Sequence, residues 1–305
     1  MATQVPVLIT WDIDPNTRFS LAQKRLALQR AIELCRQLGI GATFLFVAQE
    51  AASYPEEIAE MIRLGYEIGC HGLNHGDEEE YDRMPRETQR DYIERATCLL
   101  EAQTGSSITA FRGPRVKVSS TTLALLAERG YLADSSVCSQ RLDLLSSNLI
   151  NTGWLVAPRS PYRPHGDSAF RRGNLDILEI PVSALMLPFI STSLYILRLV
   201  VIKMLFRLLY AEARCKGKPI VYLAHPEEFG PQSWPAFKLS DLSLGNLRTH
   251  GLMLRKHLNE SDPEARLALS RALFSYMSSF PGVRFMTVRE YVLQAREVPV
   301  AVHQH

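Results

Sequence analysis

The sequence predicts an α/β protein whose mainly parallel strands carry their helices on the outside and close into a distorted (β/α) barrel. Two observations predict it. Short apolar runs alternate with helical patterns along most of the chain, and the residues able to do chemistry stand where the apolar runs end. The number of strand-helix units favours a barrel over an open sheet, and in a parallel barrel the working residues collect on the rim at the strands' C-terminal ends.

Taken in order, the first strand is "VPVLITW" and the first helix spans Leu21 to Leu38. "ATFLFV" reads as a strand, "PEEIAEMIRLG" as a helix, "YEIGCH" as a strand and Arg86 to Gln103 as a helix. "ITAFR" and "YLADSSV" are strands flanking the helix "SSTTLALLAERG", for which Ser119 or Ser120 is the cap. "LDILEIPV", "PIVYLAH" and "GVRFMTV" complete the strands. With no internal repeat or low-complexity linker, residues 1–305 read as one domain. Residues 139–174, rich in Pro, Ser, Arg and Gly, form a loop excursion from it.

Composition narrows the partners. The formal charge of +2 is nearly balanced over 305 residues, and no dense Lys/Arg run is interleaved with aromatics, so nucleic acid is not expected. A small-molecule or lipid-linked substrate fits better. The start "MATQVPVLITW" enters a strand without the basic, apolar and small-residue regions of a secretory signal, so a cytoplasmic protein is expected. Cys35, Cys70, Cys98, Cys138 and Cys215 are odd in number, scattered and without CxxC spacing, as suits reduced, mostly buried thiols.

"LITWDIDPNT" places Asp12 and Asp14 on one side of a strand end, with Ile13 turned away. Two adjacent carboxylates repel unless a cation or a proton intervenes, which directs attention to metal ligands elsewhere. "HGLNH" supplies His71 and His75, spaced so that one tight turn aims both at a common point. With Asp14 they form a two-His, one-carboxylate set that leaves positions open, suited to catalytic zinc and also to non-haem iron. Cys70, beside His71, points to the opposite face by strand alternation. Arg112 in "FRGPRVKVSS", Asp134 in "YLADSSV" and His225 in "PIVYLAHPEEF" stand at further strand ends. Singly they read as a surface ion-pair residue, a turn former and a core histidine. Their common placement argues for a site in which an arginine orients a carboxylate and an Asp-held imidazole serves as a general acid.

These segments, in this order from Thr10 to His225, resemble the five motifs of the NodB-type polysaccharide deacetylases, carbohydrate esterase family 4. "TWDID" stands where TFDDG is usual and resembles the branch with an Asp-x-Asp first motif. The resemblance implies that Asp12 is the catalytic base and that Asp14, His71 and His75 are metal ligands. It also implies that Arg112 braces the base and that Asp134 orients His225 as general acid. Gly72 replaces the hydroxyl residue of the His-Ser/Thr-x-x-His motif. Pro114 and Arg115 belong to the third motif; a backbone N–H near Arg115 or Val116 would face the substrate oxygen.

The reading is a metal-dependent deacetylase, with zinc as first choice, that removes an N-acetyl or N-formyl group from an amino sugar of an envelope polysaccharide or its lipid-linked precursor. Its rivals are an Fe(II) oxygenase using the same triad, disfavoured because such sites sit in double-stranded β-helix folds, and a non-catalytic sugar-binding protein.

"SALMLPFISTSLYILRLVVIKMLFRLLY", Ser183 to Tyr210, is more apolar than an outer barrel helix requires. Pro188, Arg198, Lys203 and Arg207 interrupt it, leaving no unbroken apolar stretch of about 20 residues to span a bilayer. It reads as a helix lying on the inner face of the membrane with Leu197, Val201 and Leu205 toward lipid, a peripheral attachment suited to a polyprenyl-linked substrate; a buried helix or a subunit interface fits the same pattern. Asp77 to Glu80, Glu227 and Glu228 read as solvated loop charges, and His303 and His305 as terminal residues.

Overall fold

The computed structural model describes residues 4–140, 152–231 and 262–297. Strand β1 (Val5–Ile13) leads to α1 (Leu21–Leu38), β2 (Ala42–Phe46), a short α2 (Ala48–Ala51), α3 (Pro55–Arg63) and β3 (Glu67–Cys70). Then come α4 (Arg86–Thr104), β4 (Ala110–Phe111), α5 (Ser120–Arg129) and β5 (Ala133–Asp134). Helix α1 starts in a reciprocal capping box between Ser20 and Gln23, and α5 in one between Ser119 and Thr122, so Ser119 is the cap.

Within the excursion, residues 141–151 lie outside the described residues. The remainder is partly ordered, with α6 (Thr152–Val156) and a hairpin of β6 (Pro164–His165) and β7 (Ser168–Arg172). The chain continues through β8 (Leu178–Glu179), a hairpin of β9 (Ala184–Leu185) and β10 (Leu187–Pro188), α7 (Ser191–Lys216) and β11 (Ile220–Ala224). It ends in α8 (Pro263–Ser278), β12 (Val283–Phe285) and α9 (Val288–Glu297). Neither α8 nor α9 was read from the sequence, where the acid- and arginine-rich stretches mask their apolar positions. His303 and His305 lie outside the described residues.

The sheet runs β11-β1-β2-β3-β4-β5-β8, parallel throughout, with β12 also paired to β1. Irregular backbone after β8 brings its two ends together: Val182 N–H donates to the Val137 carbonyl and Ser183 N–H to that of Val221 in β11. The expected distorted barrel therefore forms, closed by loop rather than by strand.

Alternation along β1 decides what the barrel contains. Val5, Val7, Ile9, Trp11 and Ile13 face outward into the cluster shared with the helices. Leu8 faces the inner cluster with Leu45, Ala110, Ala133 and Val221, and Thr10 and Asp12 follow it on the same inward face. An apolar floor thus lies beneath a polar rim. Burying the indole of Trp11 against Phe44, Phe229 and Phe274 contributes on the order of 2–3 kcal/mol and fixes the strand that carries the carboxylates.

The apolar segment differs from its expected form. Pro188 and the left-handed Met186 (φ 59°) make residues 184–188 a hairpin, so the helix begins only at Ser191 and turns sharply at Arg198 (φ 68°). Leu205 is buried and Leu197 packs partly against the core, so neither faces outward as the sequence suggested. No helix among the described residues is long and apolar enough to cross a membrane.

Candidate active site

Arg112, just beyond β4, is wholly buried and tied on every side. One terminal nitrogen donates to Asp12 Oδ1 at 2.7 Å and to Thr10 Oγ1 at 2.9 Å. Its Nε donates to the Ser135 carbonyl at 2.7 Å and the other terminal nitrogen to Ser135 Oγ at 2.9 Å. A buried guanidinium is tolerable only when its charge and N–H groups are matched, and here strands β1 and β5 supply the match. Asp12 is consequently held by one oxygen while Oδ2 turns toward the site, 3.9 Å from His71 Nε2.

Asp14, His71 and His75 converge. Their ligand atoms all lie within 4.8 Å of one another, with His71 Nε2 at 3.1 Å and His75 Nε2 at 3.7 Å from Asp14 Oδ1. Metal bonds of about 2.0–2.2 Å put neighbouring ligands roughly 3–3.5 Å apart, so the set fits one small divalent cation. His71 Nδ1 faces the Arg112 carbonyl at 2.8 Å, which as donor leaves Nε2 free to ligate. Burial raises the Asp14 carboxyl, but the contact with His71 and the charges of His71, His225 and His75 outweigh it and hold it well below the usual range. Burial opposes a charged His71, yet Asp12 and Asp14 push its pKa up to about 9: positive charge is favoured here. For His75, burial dominates and lowers it.

The loop carrying the second histidine is built around a residue misread from the sequence. Glu79 is fully buried rather than solvated. Its Oε1 accepts from Leu73 N–H at 2.6 Å and Tyr81 O–H at 2.9 Å; Oε2 accepts from Asn74 N–H at 2.8 Å and His75 N–H at 2.6 Å. The rest of the acidic run is also engaged: Asp77 with Arg115, Glu78 with Asn74, Glu80 with Lys117. These contacts join the His75 loop to the turn after Arg112. Spacing could have exposed them, since carboxylates four to six residues after His75's turn can reach back to its N–H groups.

Arg115 and Pro114, expected to meet substrate, are structural in this arrangement. The Arg115 guanidinium donates to the carbonyls of His75 and Gly76, and Pro114 packs against Gly72. Val116 N–H donates to Gly113 O at 2.9 Å, so that group is spent. Both Arg115 (φ 56°) and Val116 (φ 53°) are left-handed, a strained conformation for a β-branched residue, held in place by these bonds.

The expected Asp134–His225 pair does not form. Asp134 and Glu179 are register partners across β5 and β8; burial raises the pKa of both carboxyls, and the charge of Asp134 raises that of Glu179 further. Ser136 bonds Asp134 through both N–H (3.1 Å) and Oγ (2.7 Å) and accepts from Gly113 N–H at 2.8 Å. Asp134 therefore anchors the turn after Arg112. His225, at the end of β11, presents Nε2 3.8 Å from Asp14 Oδ2, and the carboxylate facing its Nδ1 is Glu228, at 3.9 Å. Burial lowers the His225 pKa, but Asp14, Glu228, Asp12 and Glu227 together raise it. Glu227, largely buried, accepts from Asn16 at 2.8 Å, so neither of these glutamates is a free loop charge.

Residues 2–133 match the family model described as polysaccharide deacetylase, a stretch that includes Asp12, Asp14, His71, His75 and Arg112 and stops one residue before Asp134. Among curated proteins, the chain is 28% identical over 115 residues to a peptidoglycan deacetylase-like protein of Gibberella zeae, covering 37% of this chain and 33% of that one. It is 23% identical over 112 residues to the peptidoglycan deacetylase of Helicobacter pylori, covering 37% of each. The chain thus spans about a third of the length of these relatives. Solved structures share the fold: a candidate polysaccharide deacetylase from Mycobacterium smegmatis (TM-score 0.66, 18% identity, 97% of this chain and 92% of that one) and Puue allantoinase (0.60, 16%, 98% and 92%).

Proposed function

We propose, for a chain whose residues 2–133 match the polysaccharide deacetylase family model, that it is a metal-dependent hydrolase removing an N-acyl group, acetyl first and formyl second, from an amino sugar of a glycan or its lipid-linked precursor. The observation that carries the reading is the arrangement around Asp14: two imidazoles on one of its oxygens, a third on the other, and a second carboxylate clamped beside them by Arg112. Because one neighbour by fold is an allantoinase and another a candidate deacetylase, the fold does not choose the amide; the family match supports the sugar.

Asp14, His71 and His75 would hold a divalent ion, zinc by preference, which would supply Lewis acidity and acidify water. Asp12 takes the proton of the attacking water on Oδ2, since Arg112 occupies Oδ1. Arg112 fixes the direction of the Asp12 carboxylate. His225, on the other side of Asp14, delivers a proton to the departing amine, with Glu228 behind its Nδ1 favouring the charged form. The oxygenase alternative is not favoured, because the triad sits on a parallel α/β barrel. The proposed setting is cytoplasmic, supported by five cysteines that are scattered along the chain without CxxC spacing.

Acetate released from N-acetylglucosamine oligomers, assayed with and without chelator and after zinc add-back, tests the reading. Chelator-sensitive release restored by metal is expected. Release insensitive to chelation, or none from any N-acylated sugar by the metal-loaded protein, overturns it.

A further inference from the structure

The outer half of α7 carries an apolar stripe that nothing in the described fold covers. Val200 is 70% exposed, Met204 62% and Leu208 57%, with Val201 beside them. Spaced by four along the helix, Val200, Met204 and Leu208 stack on one side. The hairpin β9–β10, packed against the same helix, ends in exposed Leu185, Met186 and Leu187. Its base is joined to the rim of the barrel: Ile190 bridges Leu223, two residues before His225. Exposed apolar residues are ordinary singly; a cluster on one helix and an adjoining hairpin marks a contact surface.

Charge identifies the occupant. From Ile180 to Ala211 the sequence contains no Asp or Glu, while it contains Arg198, Lys203 and Arg207. Arg207 and Arg214 are exposed along one edge of the stripe, and Lys203 lies over the Tyr276 ring beside it. The nearest acid on the helix, Glu212, is taken by Arg159, Lys216 and Lys218. A second copy of this chain docked about a two-fold axis would bring these basic edges together. A surface that is apolar inside and anionic outside matches both features at once.

The geometry points to an anionic lipid bilayer as the partner of this face, with α7 lying along the headgroup layer and the Met186 tip entering it. The attachment is peripheral, since no helix among the described residues is suited to span. Because the hairpin is anchored next to β11, docking would bring the rim that carries His225 to the membrane plane. The surface is independent of the chemistry proposed above.

Flotation on a density gradient tests it, using vesicles of phosphatidylcholine alone and of phosphatidylcholine with one-third phosphatidylglycerol. The full chain is expected to rise with the anionic vesicles, and far less with the neutral ones. V200S/M204S/L208S should remain at the bottom while keeping the parent's melting temperature, and R207Q/R214Q should lower vesicle affinity about five-fold per charge removed. A wild-type chain that stays at the bottom with both vesicles overturns the proposal. So does a dimer in sedimentation velocity that the serine variant dissociates, which would give the face to a second copy. Deacetylase activity on a soluble substrate is read separately, so failure of the surface is distinguishable from failure of the catalytic reading.

Discussion

The carboxylate of Glu79 stands where a side chain at position 72 would stand: a Cβ on Gly72 would lie 2.6 Å from Glu79 Oε1 and 2.7 Å from Pro114 Cγ. Gly72 is also left-handed (φ 84°). The motif position usually held by Ser or Thr is vacated here, and a buried glutamate reaches in from the following turn to bind the N–H groups of Leu73, Asn74 and His75. Glu79 is thus a positioning residue for the proposed metal ligand His75. Glu79→Gln is expected to weaken metal binding about 10- to 100-fold, because either orientation of the amide sets an NH₂ against two donors. Gly72→Ala should cost about 1–3 kcal/mol through its backbone strain, on top of displacing Glu79. Metal titration by calorimetry and thermal melts read the two effects; unchanged metal affinity in Glu79→Gln would remove the residue from the site.

Asp12 and His75 are separable by their products. Asp12→Asn keeps an oxygen for Arg112 and leaves all three proposed ligands intact, so bound metal should remain while kcat drops by roughly two orders of magnitude or more. His75→Ala should lose both metal and activity. Elemental analysis alongside kcat decides, and a metal-free Asp12→Asn protein would make Asp12 a ligand rather than a base.

Asp134 and His225 should behave as residues of different systems. Asp134→Asn replaces one of the two oxygens that accept from Ser136 by an NH₂ group, so stability is expected to fall by about 1–3 kcal/mol. Its kcat should stay close to the parent's at temperatures where both are folded, whereas His225→Ala should lose about 10²–10⁴ in kcat. Equal catalytic losses in two well-folded variants would restore the dyad inferred from motif order.

Much of this was legible in the sequence because it is governed by local rules. Alternation alone put Asp12 and Asp14 on one side of the strand end, and strand ends placed Arg112 and His225 on the same rim. What escaped depends on contacts between loops distant in sequence. The partner of Asp134 is set by the register of β5 on β8, which no periodicity in either two-residue strand reveals. Glu79 looked like one acid among four, since burial of a single loop carboxylate follows from how the loop folds back. In α7 the high apolar density concealed which side was covered, and Pro188 and Arg198 moved the helix start and turned its axis, exposing Val200 and Met204 while burying Leu205.

The base of α7 carries a pH-dependent brace. Glu212, mostly buried, accepts from Arg159 and pairs with Lys218 at 2.9 Å, linking the helix to the excursion and to the start of β11. Burial opposes its charge, but the Arg159 and Lys218 contacts prevail and bring the carboxyl down to about 2, against an ordinary value of 4.5. A folded-state pKa below the unfolded one means that the unfolded chain binds the proton first as pH falls. The stabilisation is therefore complete above about pH 5 and disappears as pH drops toward 2, with a magnitude of about 2–3 kcal/mol at neutrality. Glu212→Gln should lower the melting temperature most at pH 7, and the gap to the parent chain should narrow steadily between pH 5 and pH 3. A gap that does not change with pH would mean that the loss comes from packing or hydrogen bonding alone, with no contribution from the charge.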